Sequence, residues 1–170
     1  LTVREFNIGR QPLRVVVDSR LRMPPDAKML QTPGVLIVCA EDLPERRASL
    51  QATGAEVICL SDAGNRVDLA ALLAELGRRG CNEVTVEAGA ELAGALANAS
   101  LVDEWVIYQA PVLIGDPARG MFERASPLVT LDARTAFAWH DMRLVGRDLR
   151  LVARRANLQV RLAIANWNHG

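Results

Sequence analysis

Aromatic side chains make up only 4% of this 170-residue chain, while half of its residues are hydrophobic. The core therefore has to be aliphatic, built from Leu, Val, Ala and Ile. Net charge is missing too, because twenty Lys and Arg offset twenty Asp and Glu. That balance argues against a nucleic-acid surface, which carries a basic excess. It leaves room for an anionic small molecule held by one or two local arginines. No apolar run approaches the ~20 residues that span a bilayer, and no signal peptide is visible. Cysteine is scarce: Cys39, Cys59 and Cys81 are odd in number and lack CxxC spacing. They read as free structural thiols in a reduced, cytoplasmic protein. Neither histidine, His140 or His169, has a partner at metal-ligand spacing, so no metal is expected.

What is present is an order of elements. LRVVVD (13–18), GVLIVCA (34–40) and AEVICL (55–60) read as buried strands. EDLPERRASLQATG and VDLAALLAELGRRG read as the helices between and after them. In the second helix Leu69, Leu72, Leu73 and Leu76 recur at helical spacing, and Gly80 suits the C-terminal stop. EVTVEAG (83–89) reads as a fourth strand, AELAGALANAS as a helix, and EWVIYQAPVLIG (104–115) as a fifth strand. Beyond it AFAWHDM, RLVGRDLRLVARR and LQVRLAI read as strands joined by short turns, with Gly146-Arg147-Asp148 a hairpin tip. The expected class is α/β: a mostly parallel sheet flanked by helices and finished by antiparallel strands near the C-terminus. Length favours one domain.

In open α/β sheets ligands bind beyond the carboxyl ends of the parallel strands. That rule selects Asp18-Ser19, Ala40-Glu41, Ser61-Asp62 and Glu87-Ala88-Gly89. The last is the strongest, since a glycine lets backbone approach a ligand and the next helix offers N–H groups to a phosphate. Gly94 is expected to let that helix pack tightly against the sheet. The alternative stays open that Gly89 only makes a turn and Glu87 is a solvated strand end. GAELAG lacks the third glycine of GxGxxG and no Lys-Ser/Thr follows, and no GxSxG elbow exists. Trp105, Tyr108 and Trp139 are expected in the core.

LTVR, QPLRVVVDSRLRMPPDAKML, VEAGAELAGALANASLVDEWVIYQAPVLIGDPARGMF and the GRDLRL hairpin together resemble the reductase domain of the bifunctional riboflavin-biosynthesis deaminase/reductase. The resemblance runs from residue 1 to about 154; 1–156 is then the reductase domain and 157–170 a C-terminal extension. It implies a dihydrofolate-reductase-like fold and NADPH-dependent reduction of 5-amino-6-(5-phosphoribosylamino)uracil, with hydride delivered to C1′. It places Leu1, Arg4 and Glu87 against the phosphoribosyl pyrimidine. Ser19, Gly89, Ala90, Glu91, Leu92, Ala93, Gly94 and Ala95 would meet the cofactor. It also implies a homodimer and a zinc deaminase domain that this chain lacks, there being no HxE or PCxxC pattern. The family's domain begins well upstream of the position matching Leu1, with catalytic groups of its own. The chain, opening LTVRE without Met, is therefore expected to be a piece of a longer polypeptide, weakly active or inactive alone. A binding module without turnover and a reductase of another pyrimidine or pterin are the competing expectations.

Overall fold

Among the described residues, the run after Gly34 forms the most deeply buried element. A computed structural model describes residues 11–115, 120–124, 127, 129–130 and 134–156. The chain divides between Val84 and Thr85 into two units, each described by itself. In the first, β1 (Arg14–Val17), β2 (Val35–Cys39) and β3 (Glu56–Cys59) form a parallel sheet in the order β1-β2-β3. Leu36, Ile37, Val38 and Cys39 are 0% exposed. Successive strand residues point to opposite faces, so β2 supplies two cores. Val35, Ile37 and Cys39 pack with Leu21, Leu30, Leu50 and Val57. Leu36, Val38 and Ala40 pack with Val67, Leu72 and Leu76.

Each face has its helix. α1 (Pro44–Gln51) brings Leu50 to the first core, and its proline sits at the first turn, where a missing N–H costs no hydrogen bond. α2 (Leu69–Arg78) brings Leu72 and Leu76 to the second. Its N-terminus is capped by Asp68, whose carboxylate accepts the Ala71 N–H at 2.9 Å. Its C-terminus is tied to β3 through Arg79, which donates to Glu75 at 2.7 Å and in a fork to Glu56 at 2.6 and 2.7 Å. A short 3-10 turn, Lys28–Gln31, follows the Pro24-Pro25 stretch. The guanidinium of Arg14, 5% exposed, reaches this region and donates to the carbonyls of Met29, Thr32 and Pro33. A buried cation thus satisfies carbonyls that the turn leaves unpaired.

The second unit contains α3 (Ala90–Asn98), β4 (Glu104–Gln109), β5 (Phe137–Val145) and β6 (Asp148–Arg155). Its strands are antiparallel in the order β4-β6-β5. Val145 pairs with Asp148, leaving a two-residue tip at which Gly146 takes φ +62°.

The expected parallel and antiparallel strand sets are present, and several details differ. Residues 83–89 form no strand, and Val84 and Val86 are 40% and 47% exposed. The alternating valines carry β propensity, but a strand exists only where a neighbour completes its ladder. The parallel and antiparallel strands accordingly form two three-stranded sheets. β4 stops at Gln109, before Pro111, which has no N–H for a ladder. AFAWHDM and RLV are one strand, β5, with an irregularity between Trp139 and Asp141. LQVRLAI lies outside the described residues. Tyr108 and Trp139 are not core, being 57% and 58% exposed.

Two predictions follow from this packing. Ile37→Ala should cost about 2–5 kcal/mol in urea unfolding, the usual range for a fully buried aliphatic truncation. The second concerns Glu75, whose carboxyl is held at about 2, well below its ordinary 4.5, chiefly by the hydrogen bond from Arg78 and then that from Arg79. A depressed carboxyl stabilises the fold fully above pH 4.5, and that contribution drains away as pH falls toward about 2. In thermal melts Glu75→Gln should therefore lower Tm at neutral pH, with the gap to the parent closing across that window.

Candidate functional site

The three parallel strands of the first unit deliver their carboxyl ends to one edge, and hydrogen bonds beyond the ladders hold those ends together. The Asp18 N–H donates to the Val38 carbonyl at 2.9 Å. The Ser19 carbonyl accepts N–H groups from Ala40 and Glu41 at 3.1 and 2.9 Å. The Leu60 N–H donates to the Cys39 carbonyl at 2.8 Å. Ser19 is thus fixed through its backbone at the end of β1. Two other acids at this edge are occupied by their own loops. Asp18 accepts the Met23 N–H at 2.7 Å, and Asp62 accepts those of Gly64 and Arg66 at 2.8 and 2.9 Å.

Cys39 and Cys59 are register partners on β2 and β3, and both are free. Burial first, then the hydrogen bond with Cys59, pushes the Cys39 thiol up to about 11. It stays a protonated thiol at neutral pH, in keeping with a structural part. Among the described residues no group of three or more His, Cys, Asp or Glu gathers to hold a metal. Nor is any helix there long and apolar enough to cross a membrane.

In the second unit Glu87, Gly89 and the first turn of α3 are brought together by sequence proximity. Glu87 is exposed, and Gly89 stands at the helix N-cap with φ −73° and ψ 175°. That conformation is open to any residue, so Gly89 is not there for backbone freedom. A Cβ placed on it would meet nothing within 4 Å. The N-cap residue, a glycine, supplies no side-chain cap. There is room beside Gly89 at the start of the helix, and a helix N-terminus is an arrangement that favours anions. Glu91 is exposed on the first turn, whereas Ala90, Leu92, Ala93 and Ala95 are half-buried along the helix.

Gly94 is buried, and the atoms nearest to it are the backbone of Glu123. A Cβ there would fall 1.8 Å from the Glu123 carbonyl oxygen and 2.7 Å from the Glu123 nitrogen. The Glu123 N–H donates to the Ala90 carbonyl at 2.9 Å. This segment clamps α3, and no local sequence signal could have named it, because the two partners are remote in the chain. Leu1 and Arg4 lie outside the described residues. Ser19 belongs to the first unit, Glu87 and residues 89–95 to the second.

A cavity of about 360 Å³ lies at the other end of α3, lined by Ala97, Asn98, Trp105, Phe122, Phe137 and Trp139 among others. Trp105 meets Phe122 at 5.9 Å and Phe137 edge-on at 6.3 Å. Asn98 is roughly 13 Å along the helix from Gly89 at 1.5 Å per residue, while Phe122 and Arg124 of the cavity wall flank Glu123, whose N–H reaches the Ala90 carbonyl in the first turn.

Parallel strands with helices on both faces, followed in sequence by an antiparallel sheet, define an α/β protein of the dihydrofolate-reductase-like class. Residues 1–149 match the family described as RibD C-terminal domain, and the chain belongs to that family. Riboflavin biosynthesis protein RibD of Escherichia coli (strain K12) is 35% identical over 142 residues, covering 82% of this chain and 37% of the relative. The 5-amino-6-(5-phosphoribosylamino)uracil reductase of Buchnera aphidicola subsp. Acyrthosiphon pisum is 28% identical over 152 residues, covering 89% of this chain and 72% of that one. In a solved structure of Acinetobacter baumannii RibD (form 2) the likeness has a TM-score of 0.75 at 30% identity, over 90% of this chain and 42% of that one. The chain thus spans well under half the length of the E. coli relative.

The two glycines of α3 separate packing from access. Gly94→Ala should lower Tm markedly, by the equivalent of about 1–3 kcal/mol or more, because backbone stands where the methyl must go. Gly89→Ala should leave Tm within a degree or two of the parent. Paired thermal melts check both.

Proposed function

We propose that the chain is the reductase part of a riboflavin-biosynthesis enzyme, reducing 5-amino-6-(5-phosphoribosylamino)uracil to the ribitylamino product with NADPH. The observation that carries this reading is a glycine N-cap on α3 with clear space beside it, two residues after an exposed carboxylate, in a chain of this family. Peptide N–H groups and the positive end of the helix dipole favour the cofactor's diphosphate there. Gly89 keeps the approach clear, residues 90–95 carry the backbone alongside it, and Ser19 makes a further contact. Gly94 serves the same corner from behind by admitting the Glu123 backbone.

NADPH, when bound, supplies the hydride that C1′ of the opened, imine-like ribosyl group accepts; the attached nitrogen takes a proton. The protein's part is to hold two ligands in register and polarise the acceptor. Glu87 accepts hydrogen bonds from the substrate and orients it. Arg4 grips the ribose phosphate, for which a guanidinium has the fitting bidentate geometry. The enzyme works in the cytosol as a homodimer, with a zinc deaminase domain supplying the preceding step. Residues 1–156 act as the reductase domain, and 157–170 are an extension of it.

The two sides of the corner should separate kinetically. Glu87→Gln should impair kcat/KM for the pyrimidine by roughly tenfold or more, as for a lost charged hydrogen bond, with little change in NADPH affinity. Gly89→Val should weaken NADPH first. Steady-state kinetics with calorimetric cofactor titration measures both, and equal losses in both variants would contradict the assigned roles.

A further inference from the structure

Cys39 ends β2 and Cys59 ends β3, and the ladder sets the two side by side. Register partners on parallel strands point to the same face. The pair two residues earlier, Ile37 and Val57, enters the first core together. The two thiols share that face, at the carboxyl end of the sheet, and each leans toward the other's strand. The Cys39 thiol donates to the Ile58 carbonyl at 3.4 Å, and the Cys59 thiol to the Ala40 carbonyl at 3.2 Å. Neighbouring strands lie about 4.8 Å apart, inside the ~4.4–6.8 Å between Cα atoms that a disulfide spans. Neither separation nor direction forbids a bond between the sulfurs.

The partners differ in access. Cys39 is sealed in the first core, whereas Cys59 is exposed. A reagent in solvent meets Cys59 first and reaches Cys39 only through it. Space filling accounts for Cys39 but not for an exposed thiol beside it. An accessible cysteine backed by a second one within reach is the arrangement of a reactive thiol and its resolving partner. Cys81, half-buried, packs against the second core, on the opposite face of the sheet from the pair.

We infer that Cys39 and Cys59 form a reversible disulfide when a peroxide oxidises Cys59. In the first step the Cys59 sulfur attacks one oxygen of hydrogen peroxide. The O–O bond breaks, an S–O bond forms, and the departing hydroxide takes the thiol proton to leave as water. In the second step the Cys39 sulfur attacks the Cys59 sulfenic acid. The S–S bond forms, the S–O bond breaks, and the hydroxyl leaves as a second water with the Cys39 proton. Two thiols give up two electrons and two protons, and the peroxide is reduced to two waters. Because Cys59 stays open to solvent, a dithiol reductant can restore both thiols by exchange. The bond ties β2 to β3 one residue before Ala40, whose N–H holds the Ser19 carbonyl, so the oxidation state is registered at the edge where ligands are expected.

The test is treatment of the reduced, folded full-length protein with hydrogen peroxide, followed by alkylation of the remaining thiols and peptide mass spectrometry. The parent should lose two of its three thiols, yield a peptide linked through Cys39 and Cys59, and recover all three thiols with dithiothreitol. Cys81→Ser should lose the same two. Cys59→Ser should keep Cys39 as a thiol, protected by burial. Cys39→Ala should stop Cys59 at a sulfenic acid that dimedone captures. If Cys39→Ala does not fold, the linked peptide of the parent and its absence from Cys59→Ser decide the matter. The inference is overturned by a Cys59 that stays a thiol, that passes unlinked to the sulfinic acid, or that links only to Cys81 or to a second copy of the chain.

Discussion

Strand β2 has no face open to solvent, and the first unit is organised around that fact. Its odd residues enter one core and its even residues the other, so helices have to cover both faces of the sheet. Burial on both faces also removes freedom of register, since a slip by one residue would exchange the two cores. Once β2 is set, so are the ends of its neighbours. The bonds from Asp18 to Val38, from Ala40 and Glu41 to Ser19, and from Leu60 to Cys39 carry the alignment past the ladder into the loops. The edge where chemistry is expected is therefore held by a strand buried along its whole length.

Polar residues at that edge divide into those consumed by the fold and those left over. Asp18, Asp62 and Asp68 each accept backbone N–H groups and hold a loop or a helix start. Arg14 is buried for the same kind of work, satisfying carbonyls around the 3-10 turn. Among those left outward are Arg20 and Arg22, which follow the half-buried Ser19, and Glu41. In the second unit the division falls within one helix. Gly94 is given to packing against Glu123, and Gly89, one and a half turns earlier, is given to open space.

Much of the fold was legible because it depends on local pattern. β2 announced itself as an unbroken apolar run, and α2 through leucines at helical spacing, with Arg78 and Arg79 at its end. The candidate corner was legible as a carboxylate, a glycine and an alanine-rich helix in succession. What failed to show depends on partners distant in sequence. EVTVEAG has the valine alternation of a strand but finds no neighbouring strand among the described residues. The Glu123 backbone over Gly94 and the purpose of a buried Arg14 each require knowing what lies across space. Pro111 was in plain view and should have shortened β4, since a residue without an N–H seldom sits inside a ladder.

The aromatic residues are also unevenly divided. All three tryptophans and the one tyrosine fall after residue 84, so the first unit is nearly dark in ultraviolet emission. Trp105, against Phe122 and Phe137, and the exposed Trp139 both report from the second unit. Far-ultraviolet dichroism, by contrast, sees the helices of both. Loss of emission and loss of ellipticity therefore watch different halves of the molecule, and their coincidence or separation on heating tells whether the halves melt as one cooperative body.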